Sequence, residues 1–224
     1  MELRNKEYAD LISYLEENAG LVRDLEFLPS IEQLEERAAK QQYLTRPEIS
    51  TVTSYMKMYL KQVLVGANYI DDSYLESYLH DAFPSSLAKR YRAEIAKHPL
   101  RRELVATQLA NFVVNLVGPS FIYRMVDSTG ASASDVVKAA VVAKEIFDIE
   151  NYWLQIESLD YMVSADTQAV MMTRLTRLLR RATRWLLRHQ DDGLGFIEAQ
   201  TKFSRQIDAC LLYTSPSPRD VEET

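Results

Sequence analysis

The sequence predicts an all-α protein, a multi-helix bundle-like domain of about ten to eleven helices, and three observations carry that prediction. Apolar residues return at steps of three and four along most of the chain, the period of one helix face. Helix start signals (Ser, Thr or Asp) and stop signals (Gly or Pro) separate successive runs. There is no βαβ alternation, no hairpin dipeptide between alternating runs, and no alignable fixed-period repeat.

Each element has its own warrant. Leu11, Ile12 and Leu15 form one face of a first helix that closes near Gly20. "LVRDLEFLPS" follows as a short loop or extended segment. Ser30 with Gln33 makes a capping box for a second helix ending near Gln42, each side chain satisfying a free backbone N–H of the other. Thr45 with Glu48 makes another, and Pro47 is tolerated in the first turn. That third helix sets Ile49, Val52, Met56, Tyr59 and Val63 on one face. Leu75 and Leu79 mark a fourth, started by Asp71 or Asp72 and stopped before Pro84. Leu87, Tyr91 and Ile95 mark a fifth, ended before Pro99.

The sixth helix lies in "HPLRRELVATQLANFVVN" and runs to Gly118-Pro119. "SFIYRMVDSTG" is a short seventh with Gly130 as a left-handed cap. Ser132 or Ser134 starts an eighth, and a ninth holds Tyr152, Trp153, Ile156 and Leu159. Ser164 caps a long tenth over residues 165–190, on the order of 39 Å at about 1.5 Å per residue. A weaker last helix covers residues 196–209. Residues 210–224, "CLLYTSPSPRDVEET", break the pattern with Ser and Pro. They resemble a translated sequencing-adapter read-through, so residues 1–209 are expected to form the domain and 210–224 a non-native disordered tail.

Composition narrows the function. Apolar residues make up 47% of the 224, enough for a core. The formal charge of −6 argues against the whole chain binding nucleic acid. One cysteine, Cys210, excludes an intrachain disulfide and a cysteine-rich zinc site, and fits a cytoplasmic setting. The N-terminus has no apolar core of a signal peptide, and no apolar run approaches the roughly 20 residues that span a bilayer. A soluble chain with no membrane partner is expected.

Chemistry is sparse. "GLGFIE" offers Gly193 and Gly195 but has Glu198 where a dinucleotide loop needs its third glycine, with no strand before it. It reads as a helix-ending turn. His80, His98 and His189 are far apart, and His80 with Glu76 is the weak i, i+4 pair. No catalytic, cofactor-binding or metal-ligating residue is assigned.

Two features remain. In the tenth helix, Arg174, Arg177, Arg181, Arg184 and Arg188 step by three and four along one face. Met171, Leu175, Leu178, Leu179, Trp185 and Leu186 lie opposite. The ordinary reading buries the apolar face and leaves the arginines solvated or paired with acids. The functional reading is a docking face for an acidic surface of another domain or subunit, because guanidinium suits bidentate carboxylate contact. Nucleic acid or anionic lipid is disfavoured by the chain's acidity and by the few aromatics on the basic face. In the sixth helix, Thr107, Asn111 and Asn115 follow Glu103 at steps of four. They are expected to form a buried polar seam fixing register, since buried amides require partners. Arg101 and Arg102 oppose the helix dipole and are expected to meet carboxylates.

Several segments together resemble the C-terminal region of the large bacterial-type NAD-specific glutamate dehydrogenases. They are "LEFLPS", "LTRPEIS" followed by "YMKM", "HPLRRELVATQLANFVVN", "TGASASDVVKA" and "RRATRWLLR", in that order and spacing, and the resemblance covers residues 1–209. Enzymes of that family convert L-glutamate, NAD and water to 2-oxoglutarate, ammonium and NADH. The resemblance implies a truncated piece, with residues 1–28 corresponding to the end of the catalytic core. It places the catalytic residues and the NAD fold upstream, so none is carried over. The partners it implies are the enzyme's own catalytic core and neighbouring subunits of a homo-oligomer. The rival reading is a free-standing helical interaction module presenting the arginine face.

Overall fold

The computed structural model describes residues 2–189 and 195–214. Among these described residues are twelve α-helices, one 3₁₀ turn and no strand. The chain divides into two compact units, residues 1–138 and 139–224. One set of helices closes around its own core, while among the later helices the main packing is between those over Ile149–Glu157 and Ala165–His189.

The first unit holds α1 (Glu2–Ala19), α2 (Ile31–Ala39), α3 (Arg46–Val65), a 3₁₀ turn (Ser73–Leu75), α4 (Glu76–Asp81), α5 (Ser85–Arg90), α6 (Arg92–Ala96), α7 (Arg101–Val117) and α8 (Phe121–Thr129). It also holds the start of α9 (Ala133–Ile146), which continues into the second unit. The expected fifth helix is two short ones, α5 and α6, broken at Tyr91 where φ is −117° and ψ 34°.

Capping fixes where the early helices start. Gln33 N–H donates to Ser30 Oγ at 3.2 Å, and Ser30 N–H donates to Gln33 Oε1 at 3.0 Å. Thr45 N–H donates to Glu48 Oε2 at 2.6 Å, and Arg37 Nη1 reaches both Glu48 oxygens at 3.0 and 2.9 Å. One carboxylate thus caps α3 and anchors the end of α2. Burial pushes the Glu48 carboxyl up, but the bonds from Arg37 and Thr45 outweigh it and leave it below its ordinary range. Arg23 clamps the loop after α1: Nε and Nη2 hold Glu16 at 3.0 and 2.8 Å, and Nη1 holds the Pro29 carbonyl at 3.0 Å.

The core of this unit is the α3–α7 pair, flanked by α1 and α4. α3 buries Val52, Met56, Leu60 and Leu64, every fourth residue. Ile49, Tyr59 and Val63 of the expected face are only half-buried, so the buried stripe is rotated from that expectation. α7 buries Val105, Ala106, Leu109, Ala110, Val113, Val114 and Val117. Each buried Leu or Val contributes roughly 1.5–3 kcal/mol relative to exposure. Tyrosines finish the seams: Tyr14 and Tyr59 hydroxyls lie 2.9 Å apart, and Tyr69 OH donates to the Ser134 carbonyl at 2.7 Å. α7 ends at Gly118 with φ 89°, a conformation L side chains rarely adopt. No single helix among the described residues is long and apolar enough to cross a membrane, and the α7–α8 pair that has the composition is bent by 90°.

The second unit holds the rest of α9, α10 (Ile149–Glu157), α11 (Ala165–His189) and α12 (Phe196–Thr214). Ser164 Oγ accepts from Thr167 N–H at 3.2 Å and starts α11. α10 packs along α11. Leu175, Leu179, Ala182 and Leu186 of α11 are buried, as are Phe196, Ala199 and Phe203 of α12. The α12 backbone remains helical through Thr214, past the expected domain end at 209. The rest of the expected tail, residues 215–224, lies outside the described residues.

Candidate docking surface

The histidines serve helix ends. His80 Nε2 lies 3.1 Å from Glu76 Oε1, which Arg92 also reaches at 3.2 Å. His98 Nδ1 accepts from Leu100 N–H at 3.1 Å, just before α7. His189 stacks on Trp185 with ring centroids 4.6 Å apart, and its Nδ1 sits 2.8 Å from the Trp185 carbonyl. Among the described residues, no group of three or more His, Cys, Asp or Glu side chains is placed to hold a metal ion. Glu198 accepts from Gly195 N–H at 3.2 Å, so it helps start α12. Gly193 and the Cys210 side chain lie outside what is described.

Arg101 and Arg102 do not point away from the protein. Arg102 Nε lies 3.5 Å from Asp71 Oδ2, and its Nη2 donates to the Ala67 carbonyl at 3.5 Å. Arg101 Nη2 donates to the Asp71 carbonyl at 3.3 Å. The pair clasps the loop after α3, so one expected carboxylate contact is made and the other arginine uses a backbone oxygen instead. These bonds offset the unfavourable placement of cations in the first turn of α7.

The polar line of α7 is not buried in this chain. Thr107 and Asn111 are half-buried and Asn115 is exposed. Thr107 Oγ1 donates to its own helix, to the Glu103 carbonyl at 2.7 Å. Neither asparagine side chain has a hydrogen-bond partner among the described residues. The reason is geometric: the buried arc from Val105 to Val117 faces α3 and α4, and the polar line runs along the other side.

The arginine face of α11 is open. Arg174, Arg177, Arg181 and Arg188 are exposed and Arg184 half-buried. None of the five forms an ion pair among the described residues. The apolar side splits in two. Leu175, Leu179 and Leu186 are buried as expected, but Met171, Leu178 and Trp185 remain 38%, 38% and 37% exposed. Sequence reasoning placed all six in the core. The signal against that was present, because Met171, Leu178 and Trp185 recur every seven residues on the flank nearest the arginines.

Beside that flank runs a groove of about 1080 Å³, lined by Ile156, Leu159, Met171, Arg174, Leu178 and Ile207 among others. Asp148 also lines it, and there it accepts from Asn151 at 2.9 Å rather than pairing with Arg174. The groove is open and mostly apolar, with a volume near the upper end of the roughly 300–1,000 Å³ of a small-molecule pocket. Such a surface can bury a helix face and offers Arg174 to a carboxylate.

Residues 41–214 match the family described as glutamate dehydrogenase, C-terminal. The chain is 45% identical over 183 residues to the NAD-specific glutamate dehydrogenase of Halomonas elongata, covering 82% of this chain and 11% of that protein. It is 43% identical over 206 residues to the NAD-specific glutamate dehydrogenase of Pseudomonas aeruginosa, covering 92% and 13%. With the Mycobacterium tuberculosis NAD-specific glutamate dehydrogenase it shares 31% over 202 residues, 90% and 12%. The chain therefore spans about an eighth of the length of these relatives. A match over so much of this chain and so little of theirs gives it one identity: it belongs to the glutamate dehydrogenase C-terminal family.

Proposed function

We propose that this chain is part of the helical C-terminal portion of an NAD-specific glutamate dehydrogenase and acts there as a structural and assembly domain. The reaction, L-glutamate with NAD and water to 2-oxoglutarate, ammonium and NADH, belongs to the catalytic core elsewhere on the long polypeptide. NAD binds that core and not this portion. The partners are that core and neighbouring subunits of a cytoplasmic homo-oligomer. The observation that carries this reading is the largely exposed line of Arg174, Arg177, Arg181, Arg184 and Arg188 on α11, without an ion pair among the described residues, beside exposed apolar side chains, in a chain about one-eighth the length of its relatives. The amides of Asn111 and Asn115, without a partner among the described residues, are a second contact line of the same kind.

Deleting the region corresponding to residues 41–214 from the full-length enzyme tests it. Loss of the native oligomer by light scattering is expected, with the core's NAD binding retained. An oligomer and turnover indistinguishable from the parent's would overturn the assembly role. The open arginine face also suits the rival, a free-standing adaptor. Genomic sequence decides between them: a reading frame open for hundreds of codons upstream favours the enzyme, and a promoter directly before Met1 favours the adaptor.

A further inference from the structure

Arg174, Arg177, Arg181, Arg184 and Arg188, five of the six arginines of α11, are not equivalent. Taken with the exposed apolar residues, Met171, Arg174, Leu178, Arg181, Trp185 and Arg188 step by three, four, three, four and three. All six are exposed. They form one stripe in which an apolar residue and an arginine alternate, at the spacing of a two-helix seam. Arg177 and Arg184 fall outside it, further round toward the side opposite the buried Leu175–Leu179–Leu186 line. The stripe covers five turns, about 26 Å at 1.5 Å per residue. Its first three members also line the apolar groove, so the stripe and the groove are continuous.

We propose that this stripe seats an acidic amphipathic helix supplied by the part of the same enzyme that lies outside this chain. This rests on the assembly reading above. The chemistry of the occupant follows from the alternation. Met171 and Leu178 require apolar residues opposite, as does the part of the Trp185 ring that His189 and Phe203 leave uncovered. Arg174, Arg181 and Arg188 require Asp or Glu at the intervening positions, where each guanidinium can form a two-pronged bond with a carboxylate. The aliphatic stems of the arginines extend the apolar contact while their heads reach the acids. A nucleic acid or phosphate surface would use the arginines but leave the three apolar residues uncovered. The source follows from length: about seven-eighths of the relatives' length lies outside the matched region.

The test is photo-crosslinking in the full-length enzyme, with benzoylphenylalanine at position 178. The neighbouring core residues Leu175 and Leu179 stay unchanged, so the helix keeps its packing. The expected result is adducts, mapped by peptide mass spectrometry, on an acidic helical segment of the enzyme outside these 224 residues. Combined R174E, R181E and R188E is expected to lower the adduct yield about tenfold or more, since attraction becomes repulsion. Combined R177E and R184E is expected to lower it by less than about twofold. Adducts confined to these 224 residues, adducts with the same stretch of a second copy, no adduct at all, or equal loss in both variants would overturn the proposal. If deletion of the region still destroys the oligomer in any of those cases, the seam alone has failed. If deletion leaves the oligomer intact, the assembly reading has failed with it.

Discussion

The two units of this chain solve the same problem with different success. In the first, α3 and α7 bury their apolar arcs against each other, and α1 and α4 cover the flanks. Several of its arginines are used at home, Arg23 on Glu16, Arg37 on Glu48, and Arg101 and Arg102 on the loop after α3, while the Asn111 and Asn115 amides have no partner among the described residues. In the second, α11 buries one line of leucines and leaves a parallel line of Met171, Leu178 and Trp185 open beside arginines with no acid among the described residues. Tyr161, fully exposed with φ 63°, and Met162 extend that openness to the turn before α11. An exposed apolar line on a helix can take a partner; the first unit's core has its partners within the chain, although Leu25, Phe27 and Met58 are exposed on its surface.

The largest expected difference is in the cores. Leu109→Ala in α7 removes a fully buried side chain. It should cost about 3–4 kcal/mol, read from urea unfolding of the first unit. Leu178→Ala in α11 should cost the isolated chain less than about 1 kcal/mol, because that side chain is over a third exposed. Equal costs would erase the distinction between a closed and an open unit.

Smaller effects sharpen the account of the first unit. Ser30→Ala removes the cap of α2 and should cost about 1 kcal/mol in the same measurement. Glu16→Gln should cost about 0.5–1 kcal/mol at neutral pH, the range for a partly exposed pair. Its pH dependence has a definite sign. The hydrogen bonds from Arg23 hold the Glu16 carboxyl below its ordinary 4.5, in spite of partial burial. A depressed folded-state pKa stabilises above the unfolded-state value and is lost as pH falls through the folded one. The penalty of Glu16→Gln should therefore be full at pH 7, shrink below about pH 4.5 and vanish in stronger acid. A penalty constant from pH 7 to 2 would show that the side chain acts by packing and not by charge.

Local rules were legible in the sequence where the interaction is local. The capping Ser30 and Thr45, the left-handed Gly130 at φ 73° and the stop at Gly118 depend on neighbours within four residues, and they were read correctly. Rotation of a helix about its axis depends on what it packs against. That is why the α3 stripe centres on Val52, Met56, Leu60 and Leu64, and why Asn115 is exposed instead of buried. The break at Tyr91 and the division after residue 138 are tertiary outcomes with no strong local signal. Arg174, Arg177, Arg181, Arg184 and Arg188 of α11 were legible as a face. The seven-residue recurrence of Met171, Leu178 and Trp185 hints at which of them share an edge with exposed apolar residues, and the burial of Leu175, Leu179, Ala182, Thr183 and Leu186 decides it.

Hydrogen exchange, compared between this chain alone and the full-length enzyme, tests the central claim most directly. Amides of α3 and α7 should be slow to exchange in both, since their partners are in the chain. Amides of α10 and α11 should be markedly faster in the isolated chain and become protected in the full enzyme. Protection of α11 that is the same in both settings would contradict the claim that its stripe is completed by the rest of the enzyme.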